Sequence, residues 1–299
     1  MPTFKQLKYF DAVARFNHFG KAALYCAISQ PALSMQIKEL ERELGIQLFE
    51  RNNKRAIITK HGIDLLERSR TILKEMQNLK DYAQSTKGQL TGPLNLGVIP
   101  TIAPYLLPKL LPSILQKHPD LSLILHETQT HMLIEKLEDG DLDLLVLALP
   151  VNTANTISYP LTKDNFLLAL PPQHKVSTDT FAIPSMFDDG QLLLLEEGHC
   201  LREQALTFCH LQEISKFATF GASSLSTLVQ MVSNGLGMTL LPEISISVEN
   251  RNNDVKLIEF QHPIPSREIG LVWRKNSPRG EDFMKLGELI QQVLQAAKL

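Results

Sequence analysis

The rhythm of apolar residues changes once along the chain, across the segment Thr86 to Pro93 (TKGQLTGP), and one layer architecture does not fit both sides of that change. Before it, apolar residues recur at three- and four-residue steps. Phe4, Leu7, Phe10 and Val13 predict an amphipathic helix that breaks at Asn17, His18 and Gly20, and a short second helix follows from about Lys21 to Ala27. Ser29, Gln30 and Pro31 read as a turn and a helix start, because Ser caps and Pro is tolerated in a first turn. The helix they open carries Leu33, Ile37, Leu40 and Leu44 on one face and stops at Gly45. Two helices joined by a tight turn make a helix-turn-helix pattern. Arg51, Lys54 and Arg55 then surround Asn52 and Asn53, which is turn chemistry, so a small basic wing is expected. From His61 to Ser85, Leu65, Ser69, Ile72, Met76, Leu79 and Ala83 form a coiled-coil seam, weakest at Ser69. Such a stripe needs a partner, either a second copy in a symmetric dimer or this chain's own body.

After the segment, strand and helix signatures alternate. Strands are expected at 94–98, 121–126, 142–148, 165–170, 191–195, 238–241 and 267–273, and helices at 102–115, 130–138, 201–209, 224–234 and 281–297. That order predicts an α/β domain with a largely parallel sheet. Some 200 residues exceed one sheet, so two subdomains with a cleft are expected. The fold class is therefore an N-terminal winged helix-turn-helix (1–60, mainly α), a linker and dimerisation helix (61–90), and a two-subdomain α/β effector domain (91–299) resembling a periplasmic binding protein. Subdomain I spans about 91–162 and 268–299, and subdomain II about 163–267.

Charge separates along the same line. Residues 1–87 hold 15 Lys+Arg against 9 Asp+Glu, leaving +6, whereas the remainder holds 15 against 23, leaving −8. A basic head on an acidic body points to a polyanion facing the head alone. The N-terminus has no apolar signal region and no stretch reaches membrane-span length, so a cytoplasmic location without membrane association is expected. Three cysteines do not make a structural disulfide framework there. The nine His lack zinc-site spacing with Cys26, Cys200 or Cys209, and no phosphate-binding glycine loop appears; no metal or cofactor is expected.

The run from Ala22 to Arg51 (AALYCAISQPALSMQIKELERELGIQLFER) closely resembles the DNA-binding domain of the LysR-type transcriptional regulators. The matches are Ala22, Ala23, Ser29, Gln30, Pro31, Ala32, Leu33, Ser34, Ile37, Leu40, Glu41, Glu43, Leu44, Gly45, Leu48, Phe49, Glu50 and Arg51. The resemblance spans essentially the whole chain and implies double-stranded DNA as partner. It also implies a homodimer, commonly paired into a dimer of dimers, and contact with RNA polymerase. On physical grounds Ser29, Gln30, Ser34, Met35 and Lys38 lie near the start of the recognition helix, away from its apolar face. Such an end enters the major groove, while Arg51, Lys54 and Arg55 meet phosphates. Cys26 reads as a small core residue.

Cys200 has His199 beside it, Arg202 two residues on, and a helix start next to it. A peroxide-attacking cysteine works as the thiolate, and each of these features favours one. The segment GHCLREQALTFC resembles the peroxide-sensing, OxyR-type members of the family, as do Gly97–Thr101, His126–Thr130 and Gly237–Pro242. That resemblance implies Cys200 as the peroxidatic residue, Cys209 as its disulfide partner, Thr101, Thr130 and His199 as pocket residues, and Arg267 as a matching arginine. It also implies a thiol reductant for resetting. Thr101, Thr130 and Ser223 or Ser224 each precede a predicted helix, where strand ends gather and ligands bind; Thr130 is alternatively only an N-cap. Nine residues of continuous helix rise about 13.5 Å and end on the opposite face, whereas a disulfide needs Cα atoms within roughly 7 Å. Pairing therefore demands that the helix rearrange. Two other readings stay open: a regulator of this family answering a small organic effector, and a thiol peroxidase.

Overall fold

The computed structural model describes residues 1–52, 55–85, 88–151, 153–176, 180–183, 186–187, 191–211 and 217–296, with only the backbone for 51, 52, 55, 80, 81, 84, 85, 209–211 and 217–220. Lys54 of the expected wing, Thr86 and Lys87 of the linker, and Ala297 lie outside the described residues. The chain divides into two units, Met1–Ala83 and Gln84–Leu299.

The first unit opens with α1 (Phe4–Phe16), whose start is a capping box between Thr3 and Gln6. The second helix, α2 (Phe19–Tyr25), begins two residues earlier than the apolar rhythm predicts. The cause is His18, whose Nδ1 accepts hydrogen bonds from the Gly20 and Lys21 N–H groups at 3.0 and 3.3 Å. Helix α3 (Gln30–Leu44) runs between the expected signals: Ser29 Oγ accepts from Ala32 N–H, and Gly45 takes the left-handed conformation at φ +69°. These helices bury Leu7, Phe10, Val13, Leu33, Ile37 and Leu40 together. The Glu41 carboxylate then accepts from the Leu48 and Phe49 N–H groups at 2.9 and 3.2 Å, which ties the hairpin to α3. That hairpin, β1 (Phe49–Asn52) with β2 (Arg55–Ile58), is the expected wing. Helix α4 (Lys60–Ser85) follows.

The second unit is mixed α/β, and its elements run β3 (Gly92–Val98), α5 (Ala103–Lys117), β4 (Leu121–Glu127), α6 (Thr130–Asp139), β5 (Leu144–Leu149) and β6 (Thr156–Leu170). Then come β7 (Leu192–Leu195), α7 (Cys200–Leu211), β8 (Phe217–Ala222), α8 (Leu225–Ser233), β9 (Thr239–Pro242), α9 (Glu243–Glu249), β10 (Lys256–Ile258), β11 (Ser266–Arg274) and α10 (Gly280–Ala296). The main sheet has the order β10-β6-β11-β5-β3-β4, with β9 also on β6, and β7 pairs with β8 separately.

The expectation of a largely parallel sheet is corrected. Strand β3 pairs parallel with β4 and β5, but every ladder on β6 and β11 is antiparallel. The reason is that β6 and β11 carry the chain between the two halves in opposite directions. The Thr156–Asn165 part of β6 lies along β11, whereas Phe166–Leu170 pairs with β9 and β10. One strand thus serves two sheets and divides the unit into two lobes. Lobe I holds β3, α5, β4, α6, β5 and α10; lobe II holds β7, α7, β8, α8, β9, α9 and β10. A single cluster of buried apolar residues runs through both.

Candidate functional site

In the first unit, α3 turns Leu33, Ile37 and Leu40 inward, fully buried. The periodicity therefore turns the other face outward: Ser29, Gln30, Pro31, Met35 and Lys38 are exposed, and Ala32 and Ser34 half-buried. Met35 is 61 % exposed on this outward face. Arg51 and Arg55 lie on β1 and β2, and their side chains lie outside the described ones. Cys26 is half-buried against the helix core, and burial pushes its thiol up.

The seam on α4 divides. Leu65 packs with Leu66 and Leu73 against the first unit's own core, and Ser69 is buried. The expected seam residue Leu65 is thus half-buried against this chain's own core. Ile72 and Leu79 are 50 and 61 % exposed and Met76 is half-buried, so the free apolar stripe begins at Ile72.

In the second unit, Val98 and Glu127 are register partners, so the turns after β3 and β4 leave neighbouring strands at their carboxyl ends. The first turn holds Thr101, which is buried. Its hydroxyl accepts from Arg267 Nη1 at 2.8 Å and its carbonyl from Arg267 Nη2 at 2.9 Å. The Arg267 Nε donates to Asp164 at 2.8 Å, in an ion pair whose side chains are 0 and 2 % exposed. Asp164 also accepts from the Ile244 N–H at 3.0 Å, at the start of α9. Asp164, the partner of this arginine, went unread in the sequence; it faces Arg267 across the β6–β11 ladder, a pairing no spacing reveals.

The second turn holds Thr130. It is not an N-cap: the cap of α6 is Gln129, and Thr130 Oγ1 is buried without a hydrogen-bond partner among the described residues. Gln129 reaches lobe II, where its amide donates to the Glu197 carbonyl at 3.4 Å. Gly198 sits at φ +93°, and any Cβ there would collide with the Gln129 amide. So the β4–α6 turn closes on the β7–α7 turn, which delivers His199 and Cys200.

His199 is 6 % exposed, and its Nε2 lies 3.9 Å from Glu196. Burial pushes the imidazole below the usual histidine range, against the pull of Glu196. Arg202 donates from Nη1 to the Leu195 carbonyl at 2.9 Å, bracing the turn. Ser224 caps α8, its hydroxyl accepting from Thr227 N–H. Cys200 is a free, half-buried thiol at the first position of α7. The helix runs unbroken to Leu211, so Cys209 is on it, with its side chain outside the described ones. Phe208, one residue earlier, packs edge-on to Phe260 at 5.1 Å and against Phe187 at 6.4 Å, anchoring this end of α7 in lobe II.

No described helix is long and apolar enough to cross a membrane. Residues 4–63 match the bacterial regulatory helix-turn-helix protein family of lysR type, and residues 87–295 match the LysR substrate binding domain. The chain is 37 % identical to the hydrogen peroxide-inducible genes activator of Haemophilus influenzae over 292 residues, 98 % of this chain and 97 % of that one. It is 39 % identical to the DNA-binding transcriptional dual regulator OxyR of Escherichia coli K12 over 287 residues, covering 96 and 94 %. Among solved structures, a full-length OxyR variant from Pseudomonas aeruginosa aligns with a TM-score of 0.75 at 34 % identity, covering 97 % of this chain and 98 % of that one. A Corynebacterium glutamicum OxyR variant with hydrogen peroxide bound aligns at 0.69 and 36 % identity, covering 99 and 94 %.

Proposed function

The chain belongs to the LysR family of helix-turn-helix regulators, and on that premise we propose that it is a peroxide-responsive transcription factor whose sensor is Cys200. The observation that carries this reading is the Gln129–Glu197 hydrogen bond, which joins the turn before α6, with its buried, unpartnered Thr130 hydroxyl, to the turn that starts α7 with the free Cys200 thiol. A small neutral peroxide needs one donor and one acceptor on each side. Thr101 already accepts from Arg267, which leaves its own proton to give. The Thr130 hydroxyl both donates and accepts, and the His199 imidazole lies beside Cys200.

The Cys200 thiolate attacks one peroxide oxygen. The O–O bond breaks, the departing oxygen takes up a proton and leaves as water, and the sulfur keeps the other oxygen as a sulfenic acid. The Cys209 thiol then attacks that sulfur; the S–S bond forms, the S–O bond breaks, and a second water leaves. Two thiols lose two electrons and one peroxide becomes two waters. On the unbroken helix the two positions stand about 13.5 Å apart on opposite faces, so closure requires α7 to unwind. The similarity to proteins named peroxide-inducible activators supports the same reading.

In this reading the exposed face of α3 reads double-stranded DNA, with the wing arginines and Lys54 on the phosphates. Ile72, Met76 and Leu79 pair two copies, and dimers pair again. RNA polymerase is the downstream partner, and a dithiol reductant resets the bond. The test is mass spectrometry of the full chain before and after a stoichiometric peroxide pulse, with amide exchange across α7. Cys200→Ser should abolish the reaction, and Cys209→Ser should leave a trappable sulfenic acid. Amides at 202–208 should be protected when reduced and lose that protection when oxidised. A disulfide formed with unchanged exchange sinks the switch.

A further inference from the structure

Helix α9 is held at both ends. Its start is fixed where the Ile244 N–H donates to Asp164, which holds Arg267 and through it Thr101. Its last residue, Glu249, accepts two hydrogen bonds on one oxygen: from the Tyr105 hydroxyl at 2.7 Å and from Ser226 Oγ at 2.9 Å. Tyr105 belongs to α5 of lobe I and is buried; Ser226 belongs to the first turn of α8 in lobe II. Five residues of helix from Ile244 to Glu249 span about 7.5 Å, and Thr101 and Tyr105, the lobe I groups they reach, are four residues apart. The strut therefore meets the same short stretch of lobe I twice.

The Ser226 arm leads to the sensor by a second route. Leu195 and Ala222 are register partners in the parallel β7–β8 pair. The turn carrying His199 and Cys200 and the turn that starts α8 thus leave neighbouring strand ends. The Thr101 and Thr130 turns belong to lobe I, and His199 and Cys200 to lobe II, so the distance across the sensor pocket is the distance between lobes. We propose that Glu249 is a positioning residue for peroxide reduction: by joining α5 to α8 it holds Thr101 at its working distance from His199 and Cys200. The proposal rests on the peroxide-sensing reading of Cys200. What the position needs is a two-fold acceptor, not a charge, so Gln serves there and Ala does not.

The test uses the full-length reduced chain and two reactions of the same thiol. One is the second-order rate of Cys200 oxidation by hydrogen peroxide; the other is its alkylation by iodoacetamide, which makes no use of Thr101. Glu249→Ala should slow the peroxide reaction about tenfold or more, since small misplacements at a reacting centre have effects of that size. Alkylation and the melting temperature of the reduced chain should stay near wild type, and Glu249→Gln should restore the peroxide rate. A wild-type peroxide rate for Glu249→Ala overturns the proposal. So does equal slowing by Ala and Gln, which assigns the effect to charge, and so does parallel slowing of alkylation, which assigns it to general loosening. Should the alanine variant not fold, Tyr105→Phe removes the lobe I arm alone and is judged by the same outcomes. If wild-type Cys200 reacts with peroxide no faster than Cys26, the sensor reading itself fails, whatever Glu249 does.

Discussion

At the scale of single residues, the proposed sensor separates groups that hold the fold together from groups that the proposal leaves free to act. Arg267 belongs to the first kind. All three of its nitrogens are engaged, and its partner Asp164 is as buried as it is. Arg267→Ala leaves that carboxylate uncompensated, and the expected loss is about 3–5 kcal/mol of unfolding free energy for the effector unit, read by urea titration. A loss below about 1 kcal/mol places solvent on Asp164 and removes the arginine from the scaffold. His199 belongs to the second kind. Burial keeps its native affinity for a proton below the ordinary value of 6.5, so the unfolded chain binds the proton more readily. The stability it contributes is fully present above about pH 6.5 and is lost as pH falls toward the depressed native value. Urea midpoints from pH 7.5 down to 5.5 should therefore drop more steeply for wild type than for His199→Gln; parallel curves remove the effect. Thr101, Thr130, His199 and Cys200 were singled out in the sequence because each stands at or beside a predicted helix start, in segments that resemble the OxyR type. Asp164 and Glu249 were not: Asp164 meets the Ile244 N–H 80 residues away and Glu249 meets the Tyr105 hydroxyl 144 residues away, and only the closed fold brings them within reach.

At the scale of elements, legibility follows how far each boundary is set locally. Helix α3 begins and ends on its own Ser cap and Gly stop, and both positions came out as the residues dictate. The first half of β6, from Thr156 to Asp164, went unread because its polar residues and Pro160 resemble a loop. It is a strand because β11 lies beside it in the sheet, itself paired on its other edge with β5. Helix α9 went unread because EISISVE alternates like a strand; its helical form is fixed from outside, by Asp164 at one end and Glu249's partners at the other. Helix α4 shows a third case, in which one stripe serves two surfaces. Its Leu65 end packs on the chain's own core, while Ile72 and Leu79 stay exposed. A charge placed on the free part should break association without unfolding the head. Ile72→Asp and Leu79→Asp are expected to give monomers in analytical ultracentrifugation at micromolar concentration, with normal helical circular dichroism. Leu65→Asp should instead lower the melting temperature of the head. If the Ile72 and Leu79 variants keep the wild-type mass, the association surface lies elsewhere.

At the scale of the whole molecule, charge and redox state act on different units. Residues 1–87 carry +6 and the rest −8, so the effector body repels DNA and phosphate contact belongs to the heads. Each phosphate neutralised releases counterions, and the logarithm of affinity should fall linearly with the logarithm of salt by about 0.9 per contact. Lys38 stands exposed on the outward face of α3. Removing it in Lys38→Ala should lower the slope by about 1 if it contacts a phosphate, and should leave the slope unchanged while relaxing site preference if it contacts a base. Oxidation should leave that slope nearly intact, because no charge in the head changes when two thiols become a disulfide. What should change is geometry: α7 unwinds in the body, a contact between effector units is rebuilt, and the spacing of the two heads along the operator alters. The expected result is a footprint that shifts in length between reduced and oxidised protein at equal salt slope, and that fails to shift in Cys209→Ser after the same peroxide pulse. A salt slope that changes with oxidation while the footprint stays fixed would mean that the heads themselves respond, and the transmission from α7 through the dimer would be wrong.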